Sequence, residues 1–328
     1  MHLEGHGGQI DAMAAAFPDA PLPWIDLSTG INPFPYPLPP IPKEAWTRLP
    51  TVTSRARCEG AMAEAFGCDR AHCRAVSGTE LVIRQLPEIL GKERVVLRGR
   101  SYGDHAESWS AAGATIKAVS DPLGHLDDAD VVVLVNPNNP DGTRWPVEQM
   151  EAARYELASR GGWLIVDEAY ADLEPTQSMS PMAGRKGLIV LRSFGKFFGL
   201  AGVRLGAVLG PPPILSKLGD RLGGWDVSGP ALSIGEYAYA NLEWQNATRL
   251  KLSAAREELS HLLAKAGIEE MGGTDLFRFV RVPDAKEVWE ALAIKGIAVR
   301  RFTDDNQHFR IGLPNPEALI RLSDALSP

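Results

Sequence analysis

The sequence predicts an α/β protein: a large domain with a mostly parallel sheet flanked by helices, plus a smaller α+β domain. Three observations carry this reading. Short runs dominated by Val, Ile and Leu recur at residues 94–98, 115–119, 131–135, 163–166, 188–191 and 205–209. Continuous rather than alternating apolar runs belong to strands covered on both faces. An amphipathic helix at 146–159 lies between two of them, as a parallel crossover requires. The last third changes pattern to strand (276–282), helix (284–295), strand (297–302), strand (309–313) and helix (316–326), which describes a separate, smaller unit.

The totals agree with two domains. A chain of 328 residues exceeds what one core comfortably holds, and a hydrophobic content of 45% supports a sizeable interior. The expected division is a large domain over 45–230 and a small one built from 1–44 and 231–328. A formal net charge of −7 argues against nucleic acid or an anionic membrane as partner. No apolar run approaches the roughly 18 residues of a membrane-spanning helix. The start, Met1-His-Leu-Glu-Gly-His, lacks the basic and apolar regions of a secretory signal. Three cysteines, Cys58, Cys68 and Cys73, form no CxxC pair and suggest neither a zinc site nor a disulfide framework. A cytoplasmic enzyme is expected.

Along the chain, Gly5-His-Gly-Gly8 is flexible and polar, and Asp26-Leu-Ser-Thr-Gly-Ile-Asn-Pro33 reads as an extended segment ending in a turn. Phe34-Pro-Tyr-Pro-Leu-Pro-Pro-Ile-Pro42 is neither helix nor central strand. It is either a connector between domains or a surface linker. Helical signals follow at 57–66. Val76-Ser-Gly-Thr-Glu80 then leads into an apolar-periodic stretch, offering helix-cap chemistry or an anion site on free N–H groups. After Gly210-Pro-Pro-Pro213 one long helical region is expected from 234 to 266, closed by Gly267.

Three motifs stand at strand ends. Val135-Asn-Pro-Asn-Asn-Pro-Asp-Gly142 offers the amide of Asn139. Ile165-Val-Asp-Glu-Ala-Tyr170 ends in Asp167, with Tyr170 three residues on. Leu191-Arg-Ser-Phe-Gly-Lys196 presents Lys196. Open α/β sheets bind ligands at such ends. A lysine there is a surface cation, a phosphate ligand or an amine that condenses with a carbonyl. A P-loop is excluded because Phe197 follows Gly195-Lys196.

Pyridoxal 5′-phosphate accounts for all of these groups. Its aldehyde needs a lysine (Lys196), and its pyridine nitrogen a buried carboxylate (Asp167). Its phenolate oxygen suits Tyr170 and Asn139, and its ring a flat partner such as Tyr102. Its phosphate suits Ser77, Gly78, Thr79, Ser193 and Arg204. Ser-Gly-Thr-Glu, Asn-Pro-Asn-Asn-Pro-Asp-Gly, Asp-Glu-Ala-Tyr and Ser-x-x-Lys-x-x-x-Gly-x-x-Gly-x-Arg, in that order, resemble the fold-type I, aspartate-aminotransferase-like family of pyridoxal-phosphate enzymes over nearly the whole chain. By that resemblance Arg310 holds a substrate α-carboxylate.

Within that family the chain most resembles the L-threonine-O-3-phosphate decarboxylases of cobalamin biosynthesis, on His6-Gly-Gly8, Leu27-Ser-Thr-Gly-Ile-Asn-Pro33 and Ile297-Ala-Val-Arg300. The resemblance implies that His6, Asn32 and Arg300 hold the phosphate of a small phosphorylated amino acid, with Arg301 as a competing candidate. It also implies a homodimer. One departure is Arg48-Leu49-Pro50, where many relatives carry a tyrosine that reaches the partner subunit's site. The nearest rival is a histidinol-phosphate aminotransferase, which shares the cofactor residues. A non-catalytic regulatory module fits less well, since no basic extension precedes residue 26. A dinucleotide-dependent dehydrogenase is disfavoured by the absence of an early GxGxxG.

Overall fold

The computed structural model describes residues 7–327. The chain forms two compact units. Described residues through Phe34, together with Pro140–Gly142 and those from Asn246 onward, make the smaller one; Pro35–Asn139 and Thr143–Gln245 make the larger. The first strand, β1 (Ile25–Leu27), belongs to the smaller unit.

The larger unit is built on a seven-stranded sheet of β2 (Cys73–Val76), β3 (Arg94–Arg98), β4 (Thr115–Val119), β5 (Val131–Val135), β6 (Trp163–Asp167), β7 (Leu188–Ser193) and β8 (Gly206–Leu209), in the order β2-β8-β7-β6-β5-β3-β4. Only β8 runs against its neighbours, so β2 points the same way as the other five. Every residue of β5 and β8 is buried, as the continuous apolar runs require. Helix Glu80–Leu90 lays Val82, Ile83 and Leu86 against Val95, Val133, Ile165, Ile189 and Val208. Each such side chain, once fully buried, contributes about 1.5–3 kcal/mol of transfer free energy. The helix ends at Gly91, which takes the left-handed conformation that a Cβ disfavours.

Several elements differ from expectation. Helix Val52–Phe66 starts five residues earlier than 57, because Thr51 and Ser54 form a reciprocal capping box. The Pro-Pro-Pro stretch opens a helix, Pro212–Leu222, since the first turn needs no N–H from proline. The long helix at 234–266 is two helices, Gly229–Ala240 and Leu242–Lys265. They separate at Asn241, whose side chain accepts the Trp244 N–H at 3.0 Å.

The edges of the units fall at Phe34 and Asn246, where 44 and 231 were expected. Packing explains both shifts. Gly235 lies so close to the 52–66 helix that a Cβ would sit 2.9 Å from Cys58 Sγ. Tyr36, from the proline-rich stretch, is buried edge-on against Trp244 with ring centroids 4.9 Å apart. That stretch therefore contributes a core residue.

The smaller unit carries a five-stranded sheet of order β1-β11-β12-β10-β9, with β9 (Glu269–Thr274), β10 (Phe277–Arg281), β11 (Ile297–Phe302) and β12 (Asp305–Gly312). β1 runs parallel to β11, and the other pairs are antiparallel. β12 begins at Asp305 rather than 309, because Asp305 Oδ1 accepts the backbone N–H groups of Gln307 and His308 and turns the chain tightly. Helices Ala285–Ile294 and Pro316–Leu326 start on side-chain caps from Asp284 and Asn315. Among the described residues no helix is long and apolar enough to cross a membrane.

Candidate active site

Strand direction gathers the chemistry of the larger unit. The C-terminal ends of β2, β5, β6 and β7 and the N-terminal end of the reversed β8 share one edge of the sheet. Ser77-Gly78-Thr79, Asn139, Asp167 with Tyr170, Ser193 with Lys196, and Arg204 all lie at that edge. Register refines this: Val135, Asp167 and Leu191 are neighbours across three strands, and Ser193, Gly206 and Val76 across another three. Tyr102 stands after β3, at the N-terminus of helix Gly103–Ala111.

Asp167 is buried, and its Oδ2 lies 3.0 Å from Nε2 of the equally buried His105. Its Oδ1 accepts the Ala169 N–H at 3.2 Å. The carboxylate is thus oriented before any ligand arrives. His105 was not foreseen; the available signal was its position three residues after Tyr102 in the same helical start. The Tyr102 hydroxyl donates to Asp104 Oδ2 at 2.7 Å, and its ring meets His105 edge-on at 6.2 Å. Burial, reinforced by the bond to Asp104, pushes the Tyr102 phenol well above its ordinary pKa.

Lys196 is half-buried on the short helix Phe194–Phe197. Phe194, Phe197 and Phe198 flank it and pack with Tyr239 and Trp244, which holds this turn rigidly. Gly195 is required there, since a Cβ would come 2.8 Å from Ala201 Cα. Arg204 is the one described non-glycine residue with positive φ, at 54°. Such strain persists where surroundings over-determine it, often at a binding site. Gly78 (φ 79°) approaches the same guanidinium so closely that a Cβ would lie 2.9 Å from Arg204 Nη2. The expected side-chain cap on helix Glu80–Leu90 is absent: Thr79 makes no such bond, and the Ser77 hydroxyl donates instead to the Asp226 carbonyl.

Among the neighbouring asparagines, Asn136 clasps the Trp145 backbone at both N (3.1 Å) and O (3.4 Å). Asn138 donates to the Arg100 carbonyl and accepts from the Ser101 hydroxyl. These bonds pin the turn on which Asn139 sits half-buried. Behind the edge lies a buried charge cluster that sequence reasoning missed. Arg192 Nη1 reaches Glu168 Oε2 at 2.9 Å, and Nη2 pairs with Asp172. Burial works to lower the Arg192 pKa, and the two carboxylates outweigh it and raise it. The cluster ties the residue after Asp167 to the residue before Ser193.

In the smaller unit, Arg300 of β11 and Arg310 of β12 are directly opposed. Cross-strand partners share a face, so two cationic side chains rise from one side of the sheet, Arg300 leaning over Phe302 and Arg310 over Phe277, a pairing that like charges alone disfavour. Burial first, then Arg310, lowers the Arg300 pKa. Arg310 is buried and donates to the Ser28 carbonyl at 2.6 Å. The Ser28 hydroxyl in turn accepts the Gly8 N–H at 2.8 Å. A Cβ on Gly7 would meet the Ser28 carbonyl at 2.3 Å, so glycine is needed there. Asn32 is buried, and its Oδ1 accepts the Phe34 N–H at 2.7 Å. His6 lies outside the described residues. Leu49 is 62% exposed.

The aminotransferase class I and II family profile matches residues 25–326. A threonine-phosphate decarboxylase of Pseudomonas aeruginosa is 40% identical over 323 residues, covering 98% of this chain and 96% of its own. A protein of the same description from Sinorhizobium sp is also 40% identical, over 327 residues, 98% of this chain and 97% of its own. The fold is similar to that of the histidinol-phosphate aminotransferase of Sinorhizobium meliloti in complex with pyridoxal-5′-phosphate, with a TM-score of 0.80, 19% identity, and coverage of 96% and 92%.

Proposed function

The chain belongs to the aminotransferase class I and II family, and from that membership we propose that it is a pyridoxal-phosphate-dependent decarboxylase of L-threonine O-3-phosphate. The products are (R)-1-amino-2-propanol O-phosphate and carbon dioxide, a step that serves cobalamin synthesis. The observation that carries this reading is the opposed pair Arg300 and Arg310, which suits a substrate bearing two anionic groups. The relatives point the same way: decarboxylases match at 40% over nearly their full length, whereas histidinol-phosphate aminotransferases match at 26% over 88% and at 31% over 77% of this chain.

The residues at the sheet edge fit the cofactor. An oriented buried carboxylate, a lysine, and a cradle at Gly78 that a Cβ would fill answer its nitrogen, aldehyde and phosphate. When bound, the cofactor withdraws the electrons of the bond broken at the substrate Cα. Asp167, steadied by His105, keeps the ring nitrogen protonated. Ser77, Gly78, Thr79, Ser193 and Arg204 hold the phosphate, Tyr170 and Asn139 the phenolate oxygen, and Tyr102 the ring face. Arg310 takes the substrate carboxylate, while His6, Asn32 and Arg300 hold the substrate phosphate. Binding energy from that phosphate, remote from the reacting centre, sets the rotamer in which the carboxylate leaves rather than the proton. The Cα–carboxylate bond breaks, and the Lys196 amine delivers a proton to Cα.

The enzyme works as a cytoplasmic homodimer in this reading. Exposed apolar side chains at Leu38, Trp46, Leu49 and Val52 support a subunit interface. The test offers purified protein O-phospho-L-threonine, then histidinol phosphate with 2-oxoglutarate. Carbon dioxide from the first without glutamate from the second is expected. Glutamate without gas identifies an aminotransferase instead.

A further inference from the structure

The smaller unit contains a cavity of about 160 Å³, walled in part by Gln9, Ser28, Trp289, Arg300, Arg301 and Thr303. Two consecutive arginines line it, and among the described residues no carboxylate does. Strand alternation places Arg300 and Arg301 on opposite faces of β11, the first opposite Arg310 and the second opposite Phe309. Both nevertheless reach the cavity. The ladder between β1 and β11 ends at the pair Leu27 and Val299, so β11 is uncovered on that side from Arg300 onward. The ladder between β11 and β12 slips immediately after Arg301, and such an irregularity re-aims the side chain beside it.

Arg301 has no hydrogen-bond or ion-pair partner among the described residues, and its Nε is buried without an acceptor. A buried donor left unmade costs about 1–3 kcal/mol. A fold that places such a donor beside a second guanidinium, in a cavity that no carboxylate among the described residues lines, is stabilised by an anion from outside. At about 30 Å³ per water, the cavity holds roughly five waters, room for a phosphoryl group and part of its hydration.

We propose that Arg301 joins Arg300 as a ligand of the substrate's phosphate, which enters this cavity and leaves Arg310 to the carboxylate. The inference rests on the decarboxylase reading for the identity of the substrate. A phosphomonoester carries close to two negative charges at neutral pH, which two guanidiniums match. Their planar forks hold its oxygens pairwise, which a lysine cannot do. The choice between the two arginines thereby becomes a partnership.

The experiment uses the cofactor-loaded protein as wild type, Arg301→Gln and Arg301→Lys. Inorganic phosphate binding is followed by calorimetry, and KM is measured for O-phospho-L-threonine, with L-threonine as the unphosphorylated competitor. Arg301→Gln is expected to weaken phosphate binding and raise KM by about 10- to 100-fold, the worth of one charge-assisted hydrogen bond. L-threonine should show no matching loss, and Arg301→Lys should recover part of the effect. Unchanged phosphate affinity in Arg301→Gln overturns the proposal, as do equal losses for L-threonine and its phosphate, or a wild type that binds no phosphate. If no carbon dioxide forms but phosphate binding still depends on Arg301, the proposal stands and the decarboxylase reading falls. If both proteins release carbon dioxide with the same KM, the proposal alone falls.

Discussion

Replacing Glu168 with glutamine tests whether the buried cluster behind the sheet edge holds the site together. Glu168 is fully buried and acts only as an acceptor. Its Oε1 receives the Met179 N–H at 2.6 Å; its Oε2 receives the Ser180 hydroxyl at 3.0 Å, Arg192 Nη1 at 2.9 Å, and the Ser178 hydroxyl. Glutamine of the same shape turns one of these oxygens into a donor facing a donor, and removes the charge opposite Arg192. Breaking a buried ion pair by removing one partner costs about 3–5 kcal/mol. At about 2–4 °C per kcal/mol for a unit of this size, Tm falls by roughly 6–20 °C. Arg192→Met should cost more, because it leaves both Glu168 and Asp172 buried without a cation. Urea unfolding followed by circular dichroism measures both variants. A loss below about 1 kcal/mol for Glu168→Gln, or a milder effect from Arg192→Met, would refute the assignment. Because the cluster joins the segments bearing Asp167 and Lys196, cofactor affinity should fall alongside stability.

Other outcomes follow from single contacts. Gly78→Ala must adopt φ near 79° with its Cβ 2.9 Å from Arg204 Nη2. At about 1–2 kcal/mol for the conformation alone, the cofactor Kd should rise by roughly tenfold, read by fluorescence titration; an unchanged Kd removes the cradle from the argument. Lys196→Ala should abolish turnover and the cofactor adduct trapped by borohydride, and a surviving adduct means another residue is the anchor. Glu59 has its carboxyl pKa raised above the ordinary 4.5, chiefly by burial, against the Ala75 N–H and Arg55 that lower it. A raised native pKa makes its contribution favourable at low pH and lost as pH rises through that value. Wild type should therefore lose stability relative to Glu59→Gln as pH rises above the ordinary carboxyl value of 4.5. Melting curves over that rise that move the opposite way count against it.

Much of the fold was legible because local chemistry encoded it. The runs at β3 and β5 were readable to the residue, since a strand buried on both faces has no polar register to hide it, whereas β4 is an edge strand with no buried residue and was legible only from its short β-branched and apolar run. Strand β9 was not, because Glu269-Glu-Met-Gly-Gly-Thr274 has no apolar run and becomes a strand only by pairing with β10. The helix at Pro212 was hidden by the ordinary meaning of three prolines, and the break at Asn241 by apolar positions continuing past it. Lys196, Asp167 and Arg204 could be picked out because each ends or precedes a strand. His105 could not, because its meaning lies in a bond to a residue 62 positions away.

By itself, the sequence determined the α/β class, the cofactor-type residues at strand ends, and the family. The class depends on composition and periodicity, and the family on a resemblance carried by short motifs; all are properties of contiguous chain. Only the tertiary structure decided that β8 runs backwards and so brings Arg204 to the edge that carries Lys196. It also decided that Arg300 faces Arg310 while Arg301 is turned by a slipped ladder, and that Glu168 and Arg192 neutralise each other beneath the site. Those facts are registers and pairings between distant segments, and a one-residue change of register would move each side chain to the other face.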